Sequence, residues 1–591
     1  MPYLFAHFIG EQEDSEQVYF SVSQDGLNFT DLNEGKPILK STLGEEGARD
    51  PFLIRDEINK TFYLIATDLR IAKGLGWKHA THFGSRMMTI WQSDDLIYWS
   101  KPWQVDLAVE EAGNLWAPEA IYDYEAEAFL VFWASRVNGK QIMYYSYTKD
   151  FRDFSEPAIF IEKSNDVIDT TIVYSDGIYY RFTKNEETKR IFMDKSERLL
   201  GDYTPVKSAY LDELKGVEGP QIYLLPDGKT WALILDHFQK GTGYGIAVTT
   251  DLSSGEFTPL DETAYDFGDS IKRHGSVLAI TDDEHERLLK YFKQEHPVLP
   301  GLYADPDLVM FGDKYYIYPT SDGFTNWSGT QFSVFESADG KTFENKGQIL
   351  DLASDDVAWT SGGAWAPCCT EKDGKYYFYF TGKDHEGKSG IGVAVADSPI
   401  GPFKAEDTPL MKPTLIEEKN LSMAQVIDPS IYIENGTYYL LFGNGSDEDT
   451  GAIIELADDM ISVKWETLHE FEGLTDFREA VTVLKRDGLY HFTWSGDDTR
   501  SENYHVNYGT AESLHGPVTF HYPLLEKVPS RDILGTGHHS ILKTKDDYYI
   551  AYHRFDTSIE GLGEREHGYN RQVCISPLDF DEKGMMRPVI Q

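Results

Sequence analysis

Cysteine and positive charge are scarce in this sequence of 591 residues. The three cysteines are Cys368, Cys369 and Cys574, and so few cannot form a disulfide framework. Their scarcity predicts a reducing, cytoplasmic location. Lys and Arg number 54 against 98 Asp and Glu, which gives a formal net charge of -44. A surface of this sign repels phosphates, so we expect neither nucleic acid nor an anionic membrane as a partner, whereas a neutral ligand is compatible.

Long apolar runs are missing as well. No stretch approaches the length of about 18 uninterrupted apolar residues that a membrane helix needs. The first eight residues, 1–8, contain no basic segment followed by a long apolar core. We therefore expect neither a membrane span nor a secretion signal.

Aromatic residues, by contrast, are abundant. They make up 14% of the chain, with 36 Tyr, 33 Phe and 12 Trp, and 50 Gly and 25 Pro supply turns. Aromatic side chains fit the pleated, half-buried surface of a β-strand, so this composition favours an all-β protein. A chain of this length also exceeds what one hydrophobic core normally supports, which predicts two domains.

A short strand pattern recurs five times in each half of the chain. An apolar strand is followed by a small residue, an Asp and an aromatic residue, as in residues 18–29 and 89–99. Further strands, such as 375–380, follow turns that contain Gly, which indicates hairpins. A unit of roughly 50 to 65 residues with about four strands has the size of a propeller blade. We therefore predict two five-bladed β-propellers in tandem, residues 1–292 and 293–591.

Five landmarks in the first half recur in the same order in the second half. They are Arg49-Asp50-Pro51 with Ala304-Asp305-Pro306, Trp116-Ala117-Pro118 with Trp365-Ala366-Pro367, Val167-Ile168-Asp169 with Val426-Ile427-Asp428, Val217-Glu218 with Arg478-Glu479, and Arg273-His274-Gly275-Ser276 with Gly537-His538-His539-Ser540. Each landmark directly precedes an apolar strand. The first strand of a blade lines the central channel of a propeller, so the five landmarks should surround one funnel in each half.

The last segment of the first half lacks outer strands, and the first segment lacks an inner strand. Strands run out after about Ile280, and residues 3–32 have no inner strand of their own. We therefore expect the first propeller to be closed by strands from both ends of its chain, because closure removes exposed sheet edges. Residues 283–295 read as a short amphipathic connector, which places the boundary near 293.

Each half offers two Asp and one Glu on separate inner strands. Hydrolysis of a glycoside needs two carboxyl groups on opposite sides of the scissile bond, and in an inverting enzyme they lie about 6.5–9.5 Å apart. A third carboxylate nearby raises the pKa of the acid. Carboxyl groups spread across a funnel suit this inverting arrangement.

Taken together, Tyr-Ala-Asp-Pro, Val-Ile-Asp-Pro-Ser, a blade-opening Glu and Gly-His-x-Ser resemble glycoside hydrolase family 43, which comprises arabinofuranosidases, xylosidases and arabinanases. The resemblance covers nearly the whole chain, twice. It implies five-bladed propellers, inversion of configuration and exo-action on arabinose- or xylose-containing glycans. It implies Asp305 as general base, Asp428 as pKa modulator and Glu479 as general acid. The counterparts in the first half are Asp50, Asp169 and Glu218.

The resemblance also bears on binding residues. It implies a structural calcium ion in the channel near His538 and its counterpart His274, whereas the chemistry requires no cofactor. Arg571 matches an Arg that contacts the sugar in similar proteins, and the first half shows no clear partner for it. Trp116 and Trp365 are as consistent with core packing as with stacking on a sugar ring.

Two departures from the family pattern leave the substrate open. Glu479 is followed by Ala480 where the first half keeps the common Gly219, and Asp169 is followed by Thr170 where many members have Pro. The favoured interpretation is an exo-acting α-L-arabinofuranosidase that acts on short imported oligosaccharides. The alternatives are a β-xylosidase, one catalytic propeller beside a non-catalytic carbohydrate-binding one, or a protein-interaction propeller.

Overall fold

A computed structural model describes residues 1–292, 296–354, 357–419, 421, 423–443, 451–545 and 547–591. The chain divides into two compact units, Met1–Gln294 and Glu295–Gln591. Within the described residues, no helix is long and apolar enough to cross a membrane. The predicted boundary near 293 lies outside the described residues.

The described part of the first unit forms five four-stranded antiparallel sheets. Its strands are β1 (Tyr3–Phe8), β2 (Tyr19–Ser23), β3 (Thr30–Asp31), β4 (Arg49–Asp56), β5 (Thr61–Thr67), β6 (Met87–Ser93), β7 (Trp103–Asp106), β8 (Trp116–Asp123), β9 (Ala128–Val137), β10 (Lys140–Thr148), β11 (Ala158–Ile161), β12 (Val167–Ser175), β13 (Ile178–Asn185), β14 (Arg190–Ser196), β15 (Thr204–Val206), β16 (Glu218–Leu224), β17 (Trp231–Asp236), β18 (Tyr244–Thr249), β19 (Thr258–Pro259) and β20 (Arg273–Ala279). Its helices are α1 (Gly76–Phe83), α2 (Ala209–Glu213) and α3 (Asp282–Phe292), and its 3-10 turns are Asn33–Gly35, Ile71–Lys73, Leu252–Ser254 and Glu262–Ala264.

The described part of the second unit forms four four-stranded sheets and one three-stranded sheet. Its strands are β21 (Tyr303–Phe311), β22 (Lys314–Ser321), β23 (Gln331–Ser337), β24 (Glu344–Asp351), β25 (Thr360–Lys372), β26 (Lys375–Asp384), β27 (Ser389–Ala396), β28 (Lys404–Ala405), β29 (Ile427–Glu434), β30 (Thr437–Gly443), β31 (Ala452–Glu455), β32 (His469–Glu470), β33 (Glu479–Arg486), β34 (Leu489–Gly496), β35 (His505–Ala511), β36 (Thr519–Leu525), β37 (Gly537–Lys543), β38 (Tyr548–Phe555) and β39 (Arg571–Pro577). Its helix is α4 (Pro413–Glu417), and its 3-10 turns are Thr325–Trp327, Trp465–Thr467, Pro529–Arg531 and Glu564–Tyr569.

One edge strand of each sheet, its inner strand, contacts the inner strands of two other sheets. In the first unit β4, β8, β12, β16 and β20 follow one another in cyclic order, and β20 contacts β4. In the second unit β21, β25, β29, β33 and β37 do the same, and β37 contacts β21. Such strands surround a common axis, which is the arrangement of a β-propeller. The sequence landmarks lie at the starts of these inner strands, as predicted, except that Trp365 lies five residues inside β25.

Large apolar side chains fill the space between neighbouring sheets and hold the inner strands in place. Between the sheets that begin with β21 and β25, for example, Phe332, Phe378 and Phe380 are fully buried. Cores of this kind are packed as densely as organic crystals, so they fix the positions of the strand ends. All three cysteines are buried in such cores, which agrees with a packing role.

Strands from both ends of the first unit form its fifth sheet. β1 lies between β20 and β2, with Tyr3 opposite Ala279 and Phe8 opposite Arg273. The prediction that the N-terminal segment completes this sheet is therefore confirmed. The segment after β20 forms α3, which contains the predicted amphipathic connector as far as residue 292, and the rest of that connector lies outside the described residues.

Each inner strand of the second unit carries one non-glycine residue in the left-handed backbone region, within its first three residues or, in β25, at its seventh residue. These residues are Asp305, Ala366, Asp428, Ala480 and His538, with φ between 38° and 59°. The pairing register shifts at each of these positions, which marks a β-bulge. A bulge re-aims a side chain, and a left-handed non-glycine residue costs about 1–3 kcal/mol. The same strain recurs in the first unit at Asp50, Ala117 and Asp169.

Candidate active site

Three buried carboxyl groups converge in the second unit. Asp305, Asp428 and Glu479 lie at the starts of β21, β29 and β33, and each is less than a tenth exposed. They line a cleft that is open to solvent. Its other lining residues are Trp327, Trp365, Gln425, Ile427, Arg478, Asp498, Thr499, Arg500, His538 and Arg571. The structure thus brings together all the residues of this unit that the sequence predicts for the site.

Asp305 lies against the Arg571 guanidinium and two histidine rings. Arg571 Nη1 lies 3.1 Å from Asp305 Oδ1, and His553 Nδ1 lies 3.0 Å from the same oxygen. Arg571 is itself held by Asp322, to which Nε donates at 2.8 Å. Burial would raise the pKa of Asp305, but the Arg571 guanidinium and His538 outweigh it and hold this pKa well below its ordinary value of 3.8. Asp305 is therefore a carboxylate that can accept a proton.

Glu479 lies in the opposite environment. Burial raises its pKa above the ordinary value of 4.5, although the Tyr504 hydroxyl, which donates to Oε1 at 2.7 Å, acts against this. Burial also raises the pKa of Asp428 well above 3.8, with the charges of Glu479 and Asp305 adding to the effect. Asp428 Oδ2 is buried, and among the described residues it has no hydrogen-bond partner. The pair of Asp428 and Glu479 therefore retains a proton at a pH where Asp305 has lost its own.

His538 lies between two of these carboxyl groups. Its Nδ1 is 3.4 Å from Asp305 Oδ1 and 3.7 Å from Asp428 Oδ2. Donor atoms of Asp428, Glu479 and His538 lie within 4.8 Å of one another. Calcium prefers six to eight oxygen ligands, and a cation on these three groups would occupy the carboxyl group of Glu479. The donors near His538 therefore do not fit the expected structural calcium, and no chemical step is assigned to a metal.

The first unit assembles the corresponding residues. Asp50, Asp169 and Glu218 lie at the starts of β4, β12 and β16. His274 Nδ1 is 3.4 Å from Asp50 Oδ1 and 3.9 Å from Asp169 Oδ1, much as His538 is placed in the second unit. The Thr67 hydroxyl donates to Asp50 Oδ2 at 2.9 Å. Four of the predicted residues thus meet at the start of neighbouring inner strands.

Two cations, the buried Lys184 and the partly exposed Arg273, distinguish Glu218 from Glu479. Lys184 Nζ donates to Glu218 Oε2 at 2.9 Å, and Arg273 Nη2 donates to Oε1 at 3.1 Å. Burial would raise the pKa of Glu218, but Lys184 and then Arg273 reverse this and lower it to about 2. Glu218 is therefore ionised at neutral pH, whereas a general acid must carry a proton.

Aromatic pairs flank both sites. In the second unit Trp327 and Trp365 meet edge to face at 6.5 Å, and the Trp365 indole donates to the Trp327 carbonyl at 2.7 Å. In the first unit Trp77 and Trp116 meet edge to face at 6.1 Å. Trp365 lines the cleft, so its role is not limited to packing in the hydrophobic core. Trp327 and Trp77 were not predicted from the sequence.

Family models match both units. Residues 1–286 match a probable glycosyl hydrolase domain related to family 43, and residues 294–586 match glycosyl hydrolases family 43. The chain belongs to glycosyl hydrolase family 43. The resemblance in the sequence is thereby confirmed, and membership of this family supports glycoside hydrolase activity.

Curated relatives of this family 43 chain cover about half of it. A protein named β-D-galactofuranosidase from Aspergillus niger is 34% identical over 321 residues, which are 50% of this chain and 85% of that protein. A xylosidase/arabinosidase from Humicola insolens is 29% identical, covering 49% of this chain and 97% of its own. Among solved structures, a GH43_1 enzyme from Xanthomonas citri complexed with xylose covers 49% of this chain and 92% of its own, with 25% identity and a TM-score of 0.40.

Strand register shows where the two family 43 units differ. Lys184 lies opposite Ile168, next to Asp169, and the corresponding position opposite Ile427 is Gly443. Arg273 likewise precedes His274 at the position that Gly537 occupies before His538. Two glycines of the second unit are thus replaced in the first unit by the two cations that contact Glu218.

The counterpart of Arg571 in the first unit has the opposite charge. Tyr19 on β2 corresponds to Cys574 on β39, and counting back three residues places Glu16 at the position of Arg571. Glu16 is buried and accepts from Arg49 Nη1 at 2.9 Å, so the guanidinium now comes from the residue before Asp50. The sequence comparison finds no partner because the charge of this position is reversed.

Proposed function

We propose that the second unit is an inverting, exo-acting glycosidase that releases α-L-arabinofuranose from the non-reducing ends of arabinose-containing oligosaccharides. We infer further that both units, 1–292 and 293–591, are five-bladed propellers. Relatives named xylosidase/arabinosidase support a pentose as the substrate. The low cysteine content supports a cytoplasmic location and, with it, short oligosaccharides as the substrates.

The observation that carries this proposal is the contrast between Asp305 and Glu479 within one cleft. Arg571 and His553 hold Asp305 ionised, whereas burial and a neighbouring carboxyl group keep a proton on the Asp428–Glu479 pair. Titratable groups whose pKa values are pushed apart in this way are assigned as the base and the acid of one reaction.

The chemistry follows from these two protonation states. Asp305 removes a proton from a water molecule, and the water oxygen attacks the anomeric carbon. The bond from that carbon to the leaving oxygen breaks, and Glu479 donates its proton to this oxygen. The buried pair of Asp428 and Glu479 retains this proton beforehand, because burial and the repulsion between like charges disfavour ionisation of both carboxyl groups. Because the water enters opposite the leaving group, the configuration at the anomeric carbon is inverted.

Two other sugars compete with arabinofuranose. β-D-Xylose remains the alternative because relatives are named xylosidase/arabinosidase. β-D-Galactofuranose is the second, because the relative with 34% identity bears the name of a galactofuranosidase. It shares its five-membered ring with arabinofuranose, so a pocket built for one furanose can accommodate the other.

The test compares Asp305→Asn and Glu479→Gln with the wild-type chain on two kinds of substrate. The p-nitrophenyl glycosides of arabinofuranose, xylose and galactofuranose have a good leaving group and need little help from an acid, whereas oligosaccharides need full protonation. We expect Glu479→Gln to lower kcat/KM on oligosaccharides by about 10²–10⁴-fold and on p-nitrophenyl glycosides much less. Asp305→Asn should abolish both.

The anomer released first, observed by proton NMR during the reaction, tests the inversion. A product that retains the configuration of the substrate would contradict the assigned mechanism. Equal losses of both substrate classes in Glu479→Gln would contradict the role of this residue as the acid. The p-nitrophenyl glycoside with the highest kcat/KM identifies which of the three sugars is the substrate.

A further inference from the structure

We propose that the first unit contains a second saccharide site, which binds a neutral oligosaccharide at its non-reducing end and does not hydrolyse it. The ligand class rests on the proposed function of the second unit. The site comprises Asp50, Glu218 and Arg273 with the aromatic pair Trp77 and Trp116. Two observations carry this inference: the ion pairs that surround Glu218 and the aromatic pair that both units share.

The ion pairs remove the general acid. Glu218 accepts from Lys184 through one carboxylate oxygen and from Arg273 through the other. A carboxylate with a cation on each oxygen has no proton to donate to a leaving group. In the second unit the partner of Glu479 is the neutral hydroxyl of Tyr504, which leaves that carboxyl group free to be protonated.

Lys184 also acts on the third carboxyl group. Its Nζ lies 3.6 Å from Asp169 Oδ2 as well as 2.9 Å from Glu218 Oε2, and its side chain is only 3% exposed. A cation between the two carboxylates compensates the repulsion by which Asp169 would keep Glu218 protonated. The first unit therefore lacks both features on which the acid in the second unit depends.

A glycine in the second unit, at the position of Arg273 in the first unit, leaves the space that Tyr504 occupies beside Glu479. In the second unit a Cβ atom on Gly537 would lie 2.3 Å from the ring of Tyr504, so a side chain there and Tyr504 exclude one another. The first unit has Arg273 at this position, and its Nε donates to the buried Asp236 at 2.7 Å. The loss of the acid is thus built into several contacts and does not depend on one side chain.

The groups that would hold a sugar are retained. Trp77 and Trp116 repeat the edge-to-face arrangement of Trp327 and Trp365, and Trp77 is exposed. At the base of the site the side chains of Asp50, Glu218 and Arg273 are 14%, 17% and 16% exposed. Charged groups form stronger hydrogen bonds with hydroxyls than neutral groups do.

The charges of the site favour a neutral ligand. Lys184 is paired with Glu218, Arg273 is shared by Glu218 and Asp236, and Arg49 is paired with Glu16. An acidic sugar would have to compete with these buried carboxylates for each cation. A neutral sugar needs only hydroxyl contacts with the exposed parts of the same groups.

Hydrolysis by matched variants of the full chain provides the first test. Glu218→Gln and Glu479→Gln are assayed on arabinotriose and xylotriose, with release of the terminal sugar as the readout. We expect Glu479→Gln to lose hydrolysis by at least 10²-fold and the double variant to show no additional loss. Hydrolysis that persists in Glu479→Gln and disappears on adding Glu218→Gln would overturn the inference, while the proposed chemistry would then stand in the first unit.

Binding stoichiometry provides the second test. Isothermal titration of Glu479→Gln with arabinotriose and xylotriose should give two sites per chain for at least one of them. Trp116→Ala should remove the site in the first unit and Trp365→Ala the site in the second unit, so each variant should bind one ligand per chain. Tyr124→Ala removes an exposed tyrosine of the first unit and serves as the control that keeps two sites.

The outcomes separate the two proposals. A single site that Trp116→Ala leaves intact would overturn the inference, whether or not the wild-type chain hydrolyses the ligand. A wild-type chain that cleaves none of these glycosides would overturn the proposed function. Two sites together with hydrolysis that depends on Glu479 alone would support both.

Discussion

The hydroxyl of Tyr504 donates a hydrogen bond of 2.7 Å to Oε1 of Glu479. The ring of Tyr504 also stacks on His553, with a centroid distance of 5.5 Å and an angle of 6°. His553 in turn lies against Asp305. One chain of contacts therefore joins the proposed acid to the proposed base. Tyr504 is a positioning residue in this arrangement.

Replacing Tyr504 by Phe should shift the alkaline limb of the pH profile of kcat/KM upward by about 1–2 pH units. The hydrogen bond stabilises the ionised form of Glu479, and a bond to a charged group is worth about 1.5–3 kcal/mol. Without it the pKa of the acid rises. Tyr508→Phe is the control, because its hydroxyl contacts His491 at 2.7 Å. A limb that stays in place or moves down would contradict this role.

Replacing Arg571 by Met should raise the pKa of Asp305 and shift the acidic limb of the same profile to higher pH. It should also lower the free energy of unfolding by about 3–5 kcal/mol, because Asp305 and Asp322 lose the cation that both contact. Arg571→Lys keeps the positive charge but loses the forked guanidinium contact. Its acidic limb and its free energy of unfolding should therefore lie between those of the wild type and Arg571→Met. Denaturant unfolding and the pH profile measure the two effects. Lost stability with an unchanged acidic limb would show that Arg571 does not act on the base.

Replacing Gly537 by Ala should reduce kcat at least tenfold and cost about 1–3 kcal/mol of stability. The added Cβ would lie 2.3 Å from the rigid ring of Tyr504, which must then move away from Glu479. Gly362→Ala is the matched control in the same unit, because its Cβ would meet nothing closer than 3.9 Å. A stable Gly537→Ala variant with normal kcat would refute this packing argument.

The stability of the first unit should fall as the pH drops from about 4.5 to about 2. The pKa of Glu218 is about 2 in the folded chain against an ordinary value of 4.5. A depressed folded pKa contributes stability above the unfolded value, and this contribution is lost as the pH falls through the folded value. Hydrogen exchange of β16 against pH measures it.

Glu218→Gln should remove this part of the acid sensitivity, whereas Glu479→Gln should not, because the pKa of Glu479 is raised rather than lowered. Equal acid sensitivity of the first unit in the wild type and in Glu218→Gln would contradict the assignment.

Much of the fold and of the site could be predicted from the sequence. Short landmarks such as Trp116-Ala117-Pro118 stand where inner strands begin, and they recur because each strand start must aim one side chain into the channel. The catalytic candidates Asp305, Asp428 and Glu479 could be identified in this way. The N-terminal strand could also be placed, because the last sheet of the first unit lacked strands.

The charge environment of each carboxyl group could not be predicted. It depends on contacts between residues far apart in sequence, such as Lys184 with Glu218 and Arg571 with Asp305. Whether such side chains meet depends on the bulges, where one extra residue decides which side chain faces inward. One signal was available: the change from Gly537 to Arg273 lies within a landmark whose His and Ser positions match in the two halves.

The pairing of β1 with β20 has a consequence for the newly made chain on the ribosome. Tyr3 is synthesised long before its partner Ala279, which lies at the far end of the unit. At 5–20 residues per second, the delay is roughly 15 to 55 s. During this time β1 is an apolar strand that lacks β20, one of its two neighbours, and strands with such an open edge readily associate with other chains. The nascent first unit is therefore where chaperone binding should be most needed during synthesis.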